Sequence, residues 1–582
     1  MGNTSLSNPG EPGINVKTIK TCTAIFMASM LTISQPAMAR DGEQKFDVME
    51  ANIGQIHAAM MEGKLSAHEL VQDYLDRIHA YNPVINCVIT TNKQALTEAD
   101  KLDAEFKATG KFIGSLHGVP VLIKDQVDVA NMPTTLGSVL FKDYVPPLDS
   151  VVVGKLRKAG AVILGKATLG EFGGGDSFGS LFGVTHNPYD LERTVGGSSG
   201  GPGACVSSNF STIAVGEEGF ASIRRPSAWN SIVGMRPTPG LVSRTGIYAG
   251  WPEKTGQLGP MARTVTDLAI MLDVMVGYDS ADPMTSLGVG KIPTVSYTTF
   301  LKKDGLKGAR IGIIREVMGD KTEPNTDDFR KVDAVFDKAV EELKVAGAIL
   351  VDPLPVLHIE EAQALRASVP GEAELSFENW VKRNPHTPYH TLEDVKKNPD
   401  VVKIIPLPKE KNWARPAPPP DPMKYYKFVV ARDNLAYAVW NMMAEYHLDA
   451  IVFKTVEHQP TLIKDGLNPP YYNQRGTTSL NTFLIHAAAM SVPAGFTTDH
   501  LPVGITFFGR PFSEPALLRL AYSYEQATHH RIPPKTTPAL TKEKRAAETT
   551  APATIPATET ALAPRSPSPP DQQGMHFAGF VR

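Results

Sequence analysis

The stretch that decides the fold starts with Gly196-Gly197-Ser198-Ser199-Gly200-Gly201-Pro202 and closes with Gly216-Glu217-Glu218-Gly219-Phe220-Ala221-Ser222-Ile223-Arg224-Arg225-Pro226. Glycine lacks a Cβ, so the backbone of the first run can take a positive φ and approach a ligand closely. Pro202, at the end of the first run, suits the first turn of a helix. Between the two runs, the uncharged residues 213–215 indicate a buried strand. We therefore expect two serine-bearing turns beside one strand, where their hydroxyl groups can meet in a single site.

This pattern resembles the amidase signature, in which a Gly-Gly-Ser-Ser-Gly-Gly loop is followed by a Gly-Gly-Ser-Ile-Arg-x-Pro segment. The spacing from Ser198 to Ser222 matches the family's spacing between a bridging serine and a nucleophilic serine. The family also places a lysine at the end of an apolar strand, which the run Val119-Pro120-Val121-Leu122-Ile123-Lys124-Asp125 supplies. The resemblance extends from about residue 45 to about residue 535. It is far more specific than a match to a lone Gly-x-Ser-x-Gly motif.

The resemblance implies a role for each of these three residues. Ser222 is the implied nucleophile, Lys124 the implied base, and Ser198, carrying a cis peptide bond, the bridge that relays a proton between them. A serine hydroxyl is a weak nucleophile and needs both a base and an oxyanion hole. A lysine is a base only when it is neutral, and burial behind the apolar residues 121–123 would disfavour its charged form. Each residue alone also has a simpler explanation: Ser222 can cap a helix, Lys124 can reach solvent and Ser198 can stabilise a turn. Together the three residues favour catalysis.

The resemblance places the oxyanion hole at the backbone N–H groups of Gly219, Phe220, Ala221 and Ser222. Here the sequence departs from the family, because Phe220-Ala221 stands where Gly-Gly is usual. Neither residue is proline, so every N–H donor remains, but a side chain restricts positive φ and leaves the backbone angle open. The Phe220 ring can also narrow or line the pocket.

Three further residues are expected to support this site. Glu218 stands where the family has Asp, and we expect it to pair with Arg224 as a buried strut. The alternative is an exposed ion pair of little energetic value. Ser199, beside the bridging serine, is expected to support it through hydrogen bonds.

Helical patterns alternate with short apolar strands along the chain, which favours an α/β fold with a largely buried sheet. The resemblance implies the amidase-signature fold, a central twisted mixed β-sheet covered on both faces by helices. Ser66-Ala67-His68-Glu69 has capping-box spacing and predicts a helix that Asn82-Pro83 would end. Near the C-terminus, residues 482–490 are predicted to form another helix.

The N-terminal residues resemble a secretory signal. Lys17 and Lys20 precede a mostly apolar run over residues 22–33, and Ala37 and Ala39 form a small-residue cleavage pattern. We predict a signal peptide over residues 1–39 and export to a periplasm. Of the three cysteines, the one at position 22 would be removed with the signal, and the one at position 205 is expected to be a small buried thiol.

Composition suggests the remaining domain boundaries. Residues 40–532 are expected to form the amidase-signature domain, with a variable insert at about 352–424 that contains many prolines. Residues 533–582 are rich in Pro, Thr, Ala and charge, with almost no large apolar side chain before Phe577, so they are expected to be disordered.

Composition also limits the partners. The net charge of −3 and a pI near 6.6 give no reason to expect nucleic acid or an anionic membrane as a partner. After the N-terminal region, no apolar run is long enough to span a bilayer. The sequence contains no His-Glu-x-x-His motif, Cys-x-x-Cys pair or phosphate-binding loop, so we expect no metal and no other cofactor. The sequence does not determine the oligomeric state, and a homodimer is one of the alternatives.

The expected substrate is a small, largely apolar amide, with an aryl carbamate or ester as the alternative for the same three residues. The clue is the insert and the helix after it, because families of this kind vary their pockets in such segments. This region supplies aromatic side chains and few paired charges: Phe377, Trp380, Tyr389, Trp413, Tyr425, Tyr426 and Phe428. Aromatic-lined clefts suit apolar ligands, although such side chains equally serve to pack an insert onto a core.

Other functional classes also remain open. Gly196-Gly197-Ser198-Ser199-Gly200 satisfies the nucleophile-elbow pattern of α/β-hydrolases, but the preceding residues 189–195 are polar rather than a strong strand. The late histidine of that fold would have to be His458, His486 or His500. The Phe220-Ala221 departure suggests a homologue that only binds amides. An amidotransferase subunit is a further relative of the family, against which the export pattern argues.

Overall fold

The computed structural model describes residues 46–541, apart from 249–255, 320, 368–370, 399–420, 469–471, 479 and 481–485. The signal peptide expected over residues 1–39 lies outside the described residues. So do residues 542–582 of the expected tail and Trp413 of the insert.

The helices and strands alternate along most of the chain. The helices are α1 Ile53–Met61, α2 Ala67–Ile85, α3 Ala95–Thr109, α4 Val151–Lys158, α5 Gly200–Ser207, α6 Arg224–Trp229, α7 Val265–Met275, α8 Asp327–Val345, α9 Ile359–Ala364, α10 Glu372–Arg383, α11 Leu392–Lys397, α12 Pro422–Glu445, α13 Ile463–Leu467 and α14 Glu514–Thr528. The strands are β1 Val88–Thr91, β2 Pro120–Lys124, β3 Val162–Ala167, β4 Phe178–Gly179, β5 Gly183–Val184, β6 His186–Asn187, β7 Asp190–Thr194, β8 Ile213–Glu218, β9 Val233–Arg236, β10 Gln257–Ala262, β11 Arg310–Ile313, β12 Ile349–Val351, β13 Ala450–Lys454, β14 Ala489–Phe496 and β15 Pro502–Phe508.

The centre of the fold is one mixed sheet with helices packed against it. Its eleven strands follow the order β1-β3-β2-β8-β10-β9-β14-β15-β13-β11-β12 within the described residues. Strand β2 runs parallel to both β3 and β8, whereas β10, β9, β14 and β15 pair antiparallel. The predicted α/β class and the mixed sheet are therefore confirmed.

The register between β2 and β8 determines which residues meet at one edge of the sheet. Val121, Leu122 and Ile123 lie opposite residues 213, 214 and 215 in a parallel ladder. Every residue of both strands is buried, as expected where a parallel sheet is covered on both faces. Because parallel strands end at the same edge, Lys124 at the end of β2 comes beside the last residues of β8.

Two sequence-based predictions of helix limits are wrong. The helix begins after the Ser66 capping box as predicted, but it continues through Pro83 to Ile85. The buried Asn82 side chain holds this last turn, because its Oδ1 accepts from the N–H groups of residues 87 and 88. The predicted helix 482–490 is replaced at its end by β14, which begins at Ala489 because β9 and β15 pair with it on its two sides; its residues 482–485 lie outside the described residues.

Ordered packing continues beyond the expected boundary at Ile532. The buried guanidinium of Arg77 donates to the carbonyl oxygens of Thr537 and Pro538, each at 2.8 Å. The Thr536 hydroxyl also donates to Pro188 O at 2.5 Å. Residues up to about 538 therefore belong to the packed body, although composition alone predicts disorder from residue 533.

A disulfide joins Cys87, just before β1, to Cys205 on α5, across a sequence separation of 118 residues. Both side chains are fully buried. Cys205 is thus buried as expected, but it is bonded to Cys87 and is not a free thiol. None of the helices in the described parts of the chain is long and apolar enough to cross a membrane.

Candidate active site

Lys124 is fully buried at the end of β2, and its ammonium nitrogen has three polar contacts. Nζ donates to Ser198 Oγ at 2.7 Å. It also contacts two oxygens of Glu217, the backbone carbonyl at 3.1 Å and the carboxylate Oε2 at 2.9 Å. Burial lowers the pKa of Lys124, while the Glu217 carboxylate opposes that effect.

The loop that carries Ser198 is held by its backbone. The peptide bond between Gly197 and Ser198 is cis. Ser198 O accepts from Gly170 N at 3.0 Å, and Gly197 O accepts from the Arg225 guanidinium at 2.7 Å. A Cβ at Gly197 would lie 2.3 Å from a backbone oxygen of Gly175, so this position requires glycine for close packing rather than for a positive φ.

Ser222 lies in the turn between β8 and α6 and is half-buried, unlike the fully buried Ser198 and Lys124. Its carbonyl oxygen accepts from Ser199 N at 3.0 Å, so the two serine-bearing turns are joined by a backbone hydrogen bond. The sequence alone suggested that these turns lie side by side, and the structure places them there.

The turn before Ser222 accommodates its two unusual residues without a positive φ at either Phe220 or Ala221. Ala221 is buried, and the Phe220 ring is half-buried at the edge of the turn. Within the part of the chain that the structure describes, the N–H groups of Phe220, Ala221 and Ser222 donate to no other group.

Glu218 ties the turn to the start of α6. Its Oε1 accepts from Arg224 Nη2 at 2.6 Å and from Nε at 2.9 Å, while its Oε2 accepts from the N–H groups of Ile223 and Arg224, each at 3.0 Å. Arg236 lies 3.6 Å from the same carboxylate, and all three charged groups are buried. Burial alone would raise the pKa of Glu218, but Arg224 and Arg236 hold it below its ordinary value.

Sequence reasoning overlooked Glu217, which contacts two of the predicted site residues. Its carbonyl oxygen accepts from Ser199 Oγ at 3.0 Å, and its N–H donates to the same hydroxyl at 3.1 Å. Adjacent residues of a strand point to opposite faces, so Glu217 and Glu218 serve different neighbours. The two consecutive acids at the end of a buried strand could have drawn attention to Glu217 in the sequence. Only the parallel register of β2 and β8 shows that it faces Lys124.

The aromatic side chains of the insert mostly form a packed cluster. Phe377 and Trp380 on α10 are buried against the body together with Phe141, Phe172 and Tyr248. Phe428 is buried in a second cluster, and Tyr426 is exposed. Phe377 and Trp380 therefore pack the insert onto the core.

Of the histidines required by the α/β-hydrolase alternative, His458 is already engaged. Its Nδ1 lies 2.9 Å from Asp328 Oδ2, and its Nε2 accepts from Glu323 N at 3.1 Å. Both ring nitrogens therefore serve structural contacts, which argues against a role for His458 as a base.

Comparison with known proteins agrees with this geometry. The sequence matches the protein family described as Amidase over residues 69–518. The chain belongs to the amidase-signature family. It is accordingly an amidase-signature hydrolase, of a family that acts on C–N bonds.

Relatives within the family differ in what their names describe. The chain is 34% identical to the A subunit of a glutamyl-tRNA(Gln) amidotransferase from Cyanothece sp., over 83% of this chain and 99% of that protein. It is 32% identical to a probable amidase from Arabidopsis thaliana, over 84% of this chain and 92% of that protein. Among solved structures, the native peptide amidase from Stenotrophomonas maltophilia superposes with a TM-score of 0.71 at 31% identity, covering 84% of this chain and 99% of that one.

Proposed function

We propose that this protein cleaves the C–N bond of a small, largely apolar amide through an acyl-enzyme on Ser222. The observation that carries the proposal is the 2.7 Å contact of the buried Lys124 Nζ with Ser198 Oγ, beside the turn that bears Ser222. Membership of the amidase-signature family supports the reaction class.

The proposed mechanism is a proton relay followed by hydrolysis. Neutral Lys124 takes a proton from Ser198 as Ser198 takes one from Ser222, and Ser222 Oγ attacks the substrate carbonyl carbon. The relay then runs in reverse and protonates the leaving nitrogen, so the amine departs and the acyl-enzyme remains. Water, deprotonated by the same relay, hydrolyses the ester.

The turn over residues 219–222 is the proposed oxyanion hole. Backbone N–H donors aimed at the developing charge stabilise the transition state in a site that excludes water. The unengaged N–H groups of Phe220, Ala221 and Ser222 support this assignment, with Gly219 as the fourth candidate donor. The ion pair of Glu218 with Arg224 would hold the turn in place through the N–H groups that follow Ser222.

The apolar character of the substrate is proposed from Phe220. Its half-buried ring lies two residues from Ser222. An aromatic face at this position suits an apolar group next to the scissile bond. An aryl carbamate or ester would meet the same surface and remains the alternative substrate class.

The first test is covalent labelling with a serine-directed fluorophosphonate. We expect one adduct, on the peptide that contains Ser222. The Ser222 hydroxyl would be activated by the relay, and Ser222 is half-buried whereas Ser198 and Ser199 are buried. Peptide mapping by mass spectrometry locates the adduct. An adduct on Ser198 or Ser199, or none at all, would contradict the assignment, and the second result would favour a protein that only binds amides.

The same preparation should then be assayed on aryl amides, fatty amides, peptide amides and aryl N-methylcarbamates. An amine needs a proton before it leaves, whereas a phenol can leave as the anion. Ser198→Ala should therefore impair amide cleavage much more than ester or carbamate cleavage. Turnover of long-chain or peptide amides alone would refute the small-substrate proposal and leave the acyl-enzyme mechanism intact.

A second candidate function is that of an amidotransferase component, favoured by the 34% identity to the Cyanothece protein over nearly its whole length. A free amide donor such as glutamine in the substrate panel addresses it. Cleavage of glutamine with little activity on the other amides would favour this alternative.

We also propose that the mature protein is exported, in agreement with the signal pattern. The buried Cys87–Cys205 disulfide supports this, because disulfides persist mainly in oxidising compartments. N-terminal sequencing of the natively produced chain should begin at Arg40, and thiol titration of the denatured, unreduced protein should find no free thiol once Cys22 is removed. A chain that keeps residues 14–39 and titrates three thiols would overturn the proposal.

A further inference from the structure

A buried acid directly contacts the proposed base. Glu217 lies near the end of β8 with 2% of its surface exposed, and its Oε2 is 2.9 Å from Nζ of the fully buried Lys124. Its backbone is fixed by two hydrogen bonds with Ser199 Oγ. The two side chains thus form an ion pair without solvent access, next to Ser198.

This contact leaves Lys124 Nζ no lone pair for Ser198. An ammonium group has three N–H donors, and in this site the three contacts are Ser198 Oγ, Glu217 O and Glu217 Oε2. If the shared proton sits on Glu217 Oε2 instead, the amine is neutral, and its two N–H groups donate to Ser198 Oγ and to Glu217 O. Its lone pair then accepts the carboxylic O–H. In the ion pair, with the shared proton on Nζ, and equally with that proton on Oε2, the pair cannot take a proton from Ser198.

The charges around the pair are already matched to one another. Glu218 forms ion pairs with Arg224 and Arg236, and Asp125 forms one with Lys166. The Gln126 side chain, which also lies against Glu217, carries no charge. Lys124 and Glu217 are therefore each other's principal electrostatic partner.

We infer that Glu217 sets the pH at which Lys124 becomes a base, an inference that rests on the proposed function. The resting pair has no net charge and loses one proton to solvent to become active. The freed amine lone pair then takes the Ser198 proton, Ser198 takes the Ser222 proton, and the bond from Ser222 Oγ to the carbonyl carbon forms. The pair is again net neutral, and the single negative charge lies on the oxyanion.

Removing the carboxylate should move this ionisation in a defined direction. Burial lowers the pKa of Lys124, and Glu217 is the main group that opposes the effect. With a neutral residue at position 217, only the charge of Glu218 still opposes the effect of burial on the pKa of Lys124, so the base is free at lower pH. Because the two groups are coupled, the acid limb of the rate profile belongs to the pair.

The test is the pH dependence of amide turnover and of fluorophosphonate labelling in three variants. Glu217→Gln and Glu217→Thr remove the charge, whereas Glu217→Asp retains it as a control. The acid limb of either neutral variant that folds should move to lower pH by about 1–3 units, and that of Glu217→Asp should stay closer to the wild type. An unmoved limb with an equal loss of rate at every pH would reduce Glu217 to a structural role and overturn the inference.

If neither neutral variant folds, the wild type still decides the matter. With ¹³C-labelled lysine and glutamate, the signals of Lys124 Cε and Glu217 Cδ should change in one common step that coincides with the acid limb. Separate steps would overturn the inference. A wild type that is never labelled at Ser222 would instead refute the proposed function itself, so the two failures are distinguishable.

Discussion

The Lys124→Met variant is expected to lose about 10²–10⁴-fold in kcat on an amide substrate, the usual contribution of a positioned proton-transfer group. Methionine fills a similar volume, so the loss should appear in kcat far more than in KM. The substitution also leaves the buried Glu217 unpaired, so the rate is measured at a temperature where the variant stays folded. The wild-type rate should fall on the acid side as Lys124 is protonated, with a midpoint below the ordinary lysine pKa because burial favours the neutral form. The residual rate of the variant should not show this limb.

A matched control is available on the neighbouring strand. Lys166 on β3 is also fully buried and also pairs with a buried carboxylate, that of Asp125 at 3.0 Å. Its Nζ donates to Pro133 O and Thr134 Oγ1, each at 3.0 Å. Lys166→Met should therefore destabilise the protein, since it leaves a buried acid unpaired, but keep the acid limb and most of kcat at a temperature where it stays folded. Equal kinetic loss in the two variants would mean that Lys124 has only a structural role.

Glu218→Gln is expected to destabilise the fold by about 3–5 kcal/mol, the usual cost of breaking a buried ion pair by removing one partner. The substitution leaves two buried cations, Arg224 and Arg236, without their common carboxylate. It also weakens the acceptors of the Ile223 and Arg224 N–H groups, so the turn before α6 should loosen and labelling of Ser222 should slow.

The measurement is urea unfolding followed by circular dichroism, with the labelling rate determined in parallel. Glu393→Gln is the control, because Glu393 pairs with Lys397 at 3.5 Å with both side chains about two-thirds exposed. An exposed pair of this kind contributes about 0–1 kcal/mol. A Glu218→Gln midpoint no lower than that of Glu393→Gln would show that the buried pair adds no net stability.

Much of the candidate site could be predicted because its chemistry is encoded in short runs of sequence. The serine-bearing loops lie within 31 residues, from Gly196 to Pro226, and the apolar strand before Lys124 is itself a local pattern. The capping box at Ser66 is equally local, since its hydrogen bonds join residues three apart. The α/β class follows from the alternation of such patterns along the chain.

The sequence by itself thus determined the serine-bearing turns, the apolar strands beside them and the lysine at the end of one of those strands. Only the tertiary structure decided that Glu217 lies against Lys124, that Cys87 bonds Cys205, and that the segment near Thr537 packs on Arg77. Each of these contacts joins segments some 90 to 460 residues apart. Their formation depends on strand register and packing of the whole body, which no local periodicity specifies. For the same reason, residues 489–490 became a strand, because β9 and β15 supply hydrogen-bonding partners on both sides.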